Sequence, residues 1–85
     1  MENNLSVIKE TFKELPNNIE AEQSVIGSIL VTNEIFDEIN TIISNVNFFD
    51  PMHQKIFNAI ESMIYKGMLA NPITLKNYFE NEKDE

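Results

Sequence analysis

Eighty-five residues make one small domain at most, and a chain of about 60 residues buries only about 60% of its unfolded surface, so the core must be thin. Hydrophobic residues at 42% and charged residues at 24% match ordinary soluble protein rather than a disordered tail. There is no Cys, which excludes a disulfide framework, a thiolate metal site and a thiol nucleophile.

The charge balance narrows the partners. Fourteen acids against six bases give a net charge of −8, and every base is Lys. Between Lys13 and Lys55 lie Glu14, Glu20, Glu22, Glu34, Asp37, Glu38 and Asp50, with no Lys or Arg among them. A nucleic-acid surface requires Lys or Arg to displace counterions, so direct nucleic-acid binding by this chain is not expected. A basic protein partner suits such a surface; solvated helix faces that aid solubility account for the same acids equally well. The longest apolar stretch, Val25 to Val31, is broken by Gly27 and Ser28 and falls far short of the roughly 18 residues of a membrane span. The N-terminus lacks the basic start and apolar core of a signal peptide. The expectation is a cytoplasmic domain with no membrane partner.

Hydrophobic spacing reads as helix nearly throughout. Residues 1–15 carry Leu5, Ile8, Phe12 and Leu15 on one stripe and form either an N-terminal arm or a short helix, ended by Pro16. Residues 16–85 form the helical domain. Asn17 or Asn18 caps its first helix, with Glu20 placed to complete a capping box from Asn17. The apolar positions are Ile19, Val25, Ile26, Ile29 and Leu30, and Gly27 inside this helix suggests a close helix crossing. Thr32 and Asn33 then break the pattern and cap a second amphipathic helix through Ile35, Phe36, Ile39, Ile42 and Ile43. Asp50-Pro51 is a strong start signal for a third helix, which buries Ile56, Phe57, Ile60, Met63 and Ile64 and stops at Gly67. Thr74 is the expected cap of a fourth helix presenting Leu75, Tyr78 and Phe79. The predicted core is Ile26, Ile29, Leu30, Phe36, Ile39, Ile43, Ile56, Phe57, Ile60 and Ile64. The fold class is all-α.

Catalytic and cofactor chemistry find no residues here. Two glycines, Gly27 and Gly67, cannot build a phosphate-binding loop. The single His, His53, shares a helical face with Ile56, Phe57 and Ile60, which favours packing over catalysis. Glu34, Asp37 and Glu38 follow the ordinary pattern of acids in a first helical turn rather than a metal site. Glu20 and Glu22, two residues apart, do not face each other on a helix.

The run Leu15-Pro16 followed by Ile19-Glu20-Ala21-Glu22-Gln23-Ser24-Val25-Ile26-Gly27 resembles the opening of the N-terminal domain of bacterial replicative DNA helicases of the DnaB type. Phe48-Phe49, Pro51 and His53-Gln54-Lys55-Ile56-Phe57 continue the likeness, as do Gly67, Pro72-Ile73 and Thr74-Leu75. It spans about residues 15–80. The resemblance implies a small orthogonal bundle of about four main helices, the first part of such a domain, truncated before the helical hairpin that follows in the family. It implies a non-catalytic role: forming the collar of a hexameric helicase as dimer pairs, and recruiting the C-terminal helicase-binding domain of a DnaG-type primase. A helicase loader is a further expected partner. ATP and Mg2+ would belong to a separate ATPase domain of the parent protein, and none is expected on this chain. Glu20 and Glu22 are the candidate partner contacts, with a capping-box role as the alternative for Glu20. The competing functional reading is a free-standing acidic helical adaptor or regulator that binds primase or the loader.

Overall fold

The computed structural model describes residues 18–83, so the arm expected over residues 1–15 lies outside the described residues. Among the described residues four α-helices run in order: α1 Ile19–Val31, α2 Phe36–Asn40, α3 Pro51–Tyr65 and α4 Pro72–Lys83, with single 3-10 turns at Asn33–Ile35 and Asn45–Asn47. No strand occurs among the described residues. The all-α class expected from the hydrophobic spacing is what the chain adopts.

Asn18 caps α1, its Oδ1 accepting from Ala21 N at 2.9 Å. Ala21 therefore holds the third helical position, and Glu20, one residue earlier, lies outside a box built on Asn18. The proposed box partner Asn17 is outside the described residues. The buried stripe of α1 is Glu22, Val25, Ile26 and Ile29, at offsets of zero, three, four and seven. A Cβ built on Gly27 meets nothing within 4 Å among the described residues, so none of the described helices makes the close crossing expected there. Gly27 instead opens onto a shallow groove lined by Ser24, Ser28, Val31, Thr32 and Ile35.

The second helix is shorter than its pattern predicts. Residues 33–35 wind as a 3-10 turn, and α2 covers only Phe36–Asn40 before a turn at Thr41 and Ile42. Thr41 Oγ1 donates to the Glu38 carbonyl at 2.6 Å, a local bond that competes with helix continuation. Thr32 makes no side-chain cap bond. Asn33 does not cap either: its amide nitrogen donates to the Ile29 and Ala70 carbonyls at 2.7 and 2.9 Å, and its Oδ1 accepts from Ala70 N at 2.8 Å. That clasp fastens the α1–α2 connection to the loop before α4.

Helix α3 starts as its sequence suggests. Asp50 Oδ1 accepts from Met52 N at 2.8 Å, and Pro51 occupies the first helical position, where no amide is needed. It ends with Gly67 N donating to Ile64 O at 3.0 Å and Met68 N donating to Met63 O at 2.9 Å. This Schellman pattern places Gly67 at φ +77°, a backbone region costly for any residue with a Cβ. At α4 the cap is Asn71 rather than Thr74. Asn71 Oδ1 accepts from Ile73 N and Thr74 N, while Thr74 Oγ1 returns to accept from Asn71 N, each at 2.9 Å.

Seven of the ten predicted core residues are buried, and Leu30, Ile56 and Ile64 are half-buried against them. Val25, Phe48, Ala59, Met63, Ala70 and Leu75 complete the core. Its spine is a row of rings. Phe57 lies 5.3 Å from Phe36 and 5.0 Å from Phe48, each tilted by 40°, and Tyr65 and His53 stand edge-on at the two ends, against Phe36 and Phe48. Each such aromatic pair contributes about 0.5–1.5 kcal/mol beyond its buried area.

Candidate interaction face and the buried acid beneath it

The two acids singled out as partner contacts have opposite surroundings. Glu20 is exposed on the first turn of α1. Glu22 is 1% exposed, with its carboxyl group inside the molecule. It does not present an accessible charge, and that expectation is corrected. The physical reason is register: Glu22 stands three residues before Val25 and four before Ile26, so the helix turns it inward with them.

What Glu22 holds is the turn entering α3. Its Oε2 accepts from Phe49 N at 2.6 Å and its Oε1 from Asp50 N at 3.3 Å. Oε1 also meets His53 Nδ1 at 2.8 Å, and His53 is 7% exposed. With both carboxyl oxygens already accepting from backbone amides, the hydrogen-bond inventory assigns His53 as the donor from Nδ1. Every polar contact of this cluster is internal, and no buried side-chain nitrogen or oxygen among the described residues lacks a partner. The arrangement satisfies two otherwise orphaned amides at the head of α3. Burying a carboxyl group without such partners would be prohibitive.

Spacing could have revealed this pair. Glu22 heads the apolar stripe of α1, and His53 heads that of α3, four residues before Phe57 and seven before Ile60. A polar residue in register with a buried stripe demands a partner, and each helix supplies one to the other. His53 thus packs as expected, edge-on at 6.4 Å from Phe48, and also bonds the acid on α1.

The turn so fixed divides the Phe48-Phe49 pair. Phe48 is buried, its carbonyl accepting from Gln54 Nε2 at 2.7 Å, whereas Phe49 is 58% exposed. The remaining acids lie outside. Glu34, Asp37 and Glu38 are exposed on the 3-10 turn and the first turn of α2. With Glu20 they form the accessible negative charge of α1 and α2, which carry no Lys or Arg. Among the described residues no group of three or more His, Cys, Asp or Glu is placed to hold a metal ion, and no helix is long and apolar enough to cross a membrane.

The family model for the DnaB-like helicase N-terminal domain matches residues 14–85. The replicative DNA helicase DnaB of Rickettsia typhi is 48% identical over 63 residues, which are 74% of this chain and 13% of that protein. That of Rickettsia bellii is 42% identical over 69 residues, or 81% of this chain and 14% of the relative. The Buchnera aphidicola subspecies Baizongia pistaciae helicase is 39% identical over 79 residues, covering 93% of this chain and 17% of the relative. The chain thus spans about one-sixth or less of the length of these relatives. No solved structure gives a significant match. With its helical architecture and its match over residues 14–85, the chain belongs to the family of DnaB-like helicase N-terminal domains.

Proposed function

We propose that this DnaB-like domain is a non-catalytic interaction module of a replicative helicase, pairing with other subunits in the collar of the hexamer and recruiting the C-terminal helicase-binding domain of primase. The observation that carries the reading is the family match over residues 14–85. The charge distribution supports it: exposed Glu20, Glu34, Asp37 and Glu38 suit a basic partner surface, whose encounter they would accelerate. ATP and Mg2+ would act on the ATPase domain of the parent helicase, and a helicase loader is a further partner of the same collar. Glu20 is the acid retained as a partner contact, since Glu22 is engaged internally.

The test is a titration of the cognate primase C-terminal domain at low and high salt. Reversing Glu20 to Lys should weaken binding at low salt while leaving the unfolding midpoint nearly unchanged, because Glu20 is exposed and makes no cap bond to Asn18. The difference should shrink as the Debye length falls from about 10 Å at 0.1 M salt to about 3 Å at 1 M. Affinity that ignores both the substitution and the salt would remove the electrostatic contact.

A further inference from the structure

The outer face of α1 has no neighbour among the described residues. Ser24, Gly27, Ser28 and Val31 each stand two residues after a member of the buried stripe Glu22, Val25, Ile26 and Ile29, about 200° round the helix. They line the groove that Thr32 and Ile35 close at its far end. Three of its residues are small, while Val31 is 86% exposed and Ile35 only half-buried. Gly27 weakens a helix interior relative to Ala, yet no other part of the described chain uses the space that a Cβ there would fill. The groove is apolar, narrow-sided and empty of any described side chain from another helix.

The chain that enters α1 has the length and pattern to fill it. Leu5, Ile8, Phe12 and Leu15 recur at offsets of zero, three, seven and ten, the spacing of one helical face. Leu5, Ile8 and Phe12 lie ahead of residues 14–85, outside what the family model describes. Pro16 disfavours helical backbone at Leu15, so a helix over these residues cannot run on into α1. It must turn over residues 16–18, a length within the roughly two to five residues of a helical hairpin connection. Asn18 is already extended, at φ −83° and ψ 99°. As a helix, Leu5 to Leu15 spans about 15 Å, against about 18 Å from Ile19 to Val31. Folded back antiparallel, the stripe brings Ile8 level with Gly27 and Leu5 level with Val31. Tethered three residues from α1, it meets the groove at an effective concentration that a separate partner lacks.

We infer that residues 5–15 wind as a helix antiparallel to α1 and seat Ile8 and Phe12 in the groove at Ser24, Gly27 and Ser28. The close helix crossing that Gly27 permits is then made by the chain's own N-terminal arm.

Disulfide trapping in the full 85-residue chain tests this, since the protein has no Cys of its own. Exposed Phe49, tied to α1 through its bond to Glu22, is another apolar surface within reach of the arm and serves as the control. An intramolecular disulfide in Ile8→Cys with Ser28→Cys should close about tenfold or more faster than in Ile8→Cys with Phe49→Cys, because docking holds only the first pair within bonding reach. Should the Ser28 pair lose helicity by circular dichroism, Leu5→Cys with Val31→Cys gives the same test. Equal rates, or faster closure at Phe49, overturn the inference. Covalent dimers in place of the intramolecular bond overturn it too, by giving the groove to a second copy. Gly27→Leu supplies a readout without cysteine. Under a seated arm it should lower the unfolding midpoint and open residues 5–15 to protease. On an uncovered face it should raise the midpoint through helix propensity, and that result contradicts the docking.

Discussion

Two connections in this domain are held by polar clasps to parts of the chain far from them in sequence, and they differ in what lies beneath. The turn into α3 is tied to α1 by Glu22, which is fully buried and adjoins the ring row of Phe48, Phe57 and Phe36. The loop into α4 is tied to the α1–α2 connection by Asn33, a half-buried amide, and among the described residues of α4 Leu75 alone is fully buried, with Tyr78 and Phe79 half-buried against the core. A clasp over a packed interior is part of the cooperative unit, because breaking it exposes apolar surface as well as polar atoms. One over a thin contact can open locally. The difference teaches where this small domain concentrates its stability: in α1, α3 and the turn between the two phenylalanines, with α4 as the more separable element.

The largest effect should come from the middle of the ring row. Truncating Phe57 to Ala removes both of its aromatic contacts and leaves a cavity, at a cost of about 3–5 kcal/mol. Urea unfolding read by circular dichroism checks this, and the loss is a large share of what a domain of this size possesses.

The next break addresses the α3 clasp. Glu22→Ala strands the Phe49 and Asp50 amides and the His53 nitrogen, each unmet buried donor costing about 1–3 kcal/mol. The total should approach 3 kcal/mol as water replaces part of what is lost. Glu22→Gln keeps one oxygen acceptor and should cost less, about 1–3 kcal/mol, so the order wild type, Gln, Ala in unfolding midpoint separates hydrogen bonding from packing. Equal midpoints would return Glu22 to the surface role it was first assigned.

These two residues also show how far the amino-acid pattern carries. Helix existence, the Asp50-Pro51 start, the Gly67 stop and seven of ten core positions were legible, because periodicity and capping are local properties. Asn33 was not, and of Glu22 only its inward register was legible and not the amides it holds, because each serves a partner far along the chain: Ala70 at a separation of 37 residues, and Phe49 at 27. The register of a polar residue on a buried stripe shows that it needs a partner, and only tertiary packing reveals which distant backbone amide it meets. The open groove at Gly27 is the converse case, where a local signal for close approach meets no neighbour among the described residues. Of the candidate contacts, Glu20 stayed outside because nothing in the buried stripe of α1 shares its angle.

The smallest expected effect sharpens the other side of the comparison. Leu75 is the buried anchor of α4, and Leu75→Ala should cost about 2 kcal/mol, the low end for a buried Leu, since the site lies at the edge of the core. Its signature should be regional: limited proteolysis should cut within α4 while α1 and α3 stay protected.

Native-state hydrogen exchange puts the contrast between the two clasps to its most direct test. The Phe49 amide, held at 2.6 Å by Glu22, should exchange only by global unfolding, with a free energy equal to that from urea denaturation. The Leu75 amide, bonded to the Asn71 carbonyl at 2.9 Å, should exchange through a smaller local opening of α4. A Phe49 amide that exchanges as fast as that of Leu75, or faster, would contradict the assignment of Glu22 as the interior clasp of this domain.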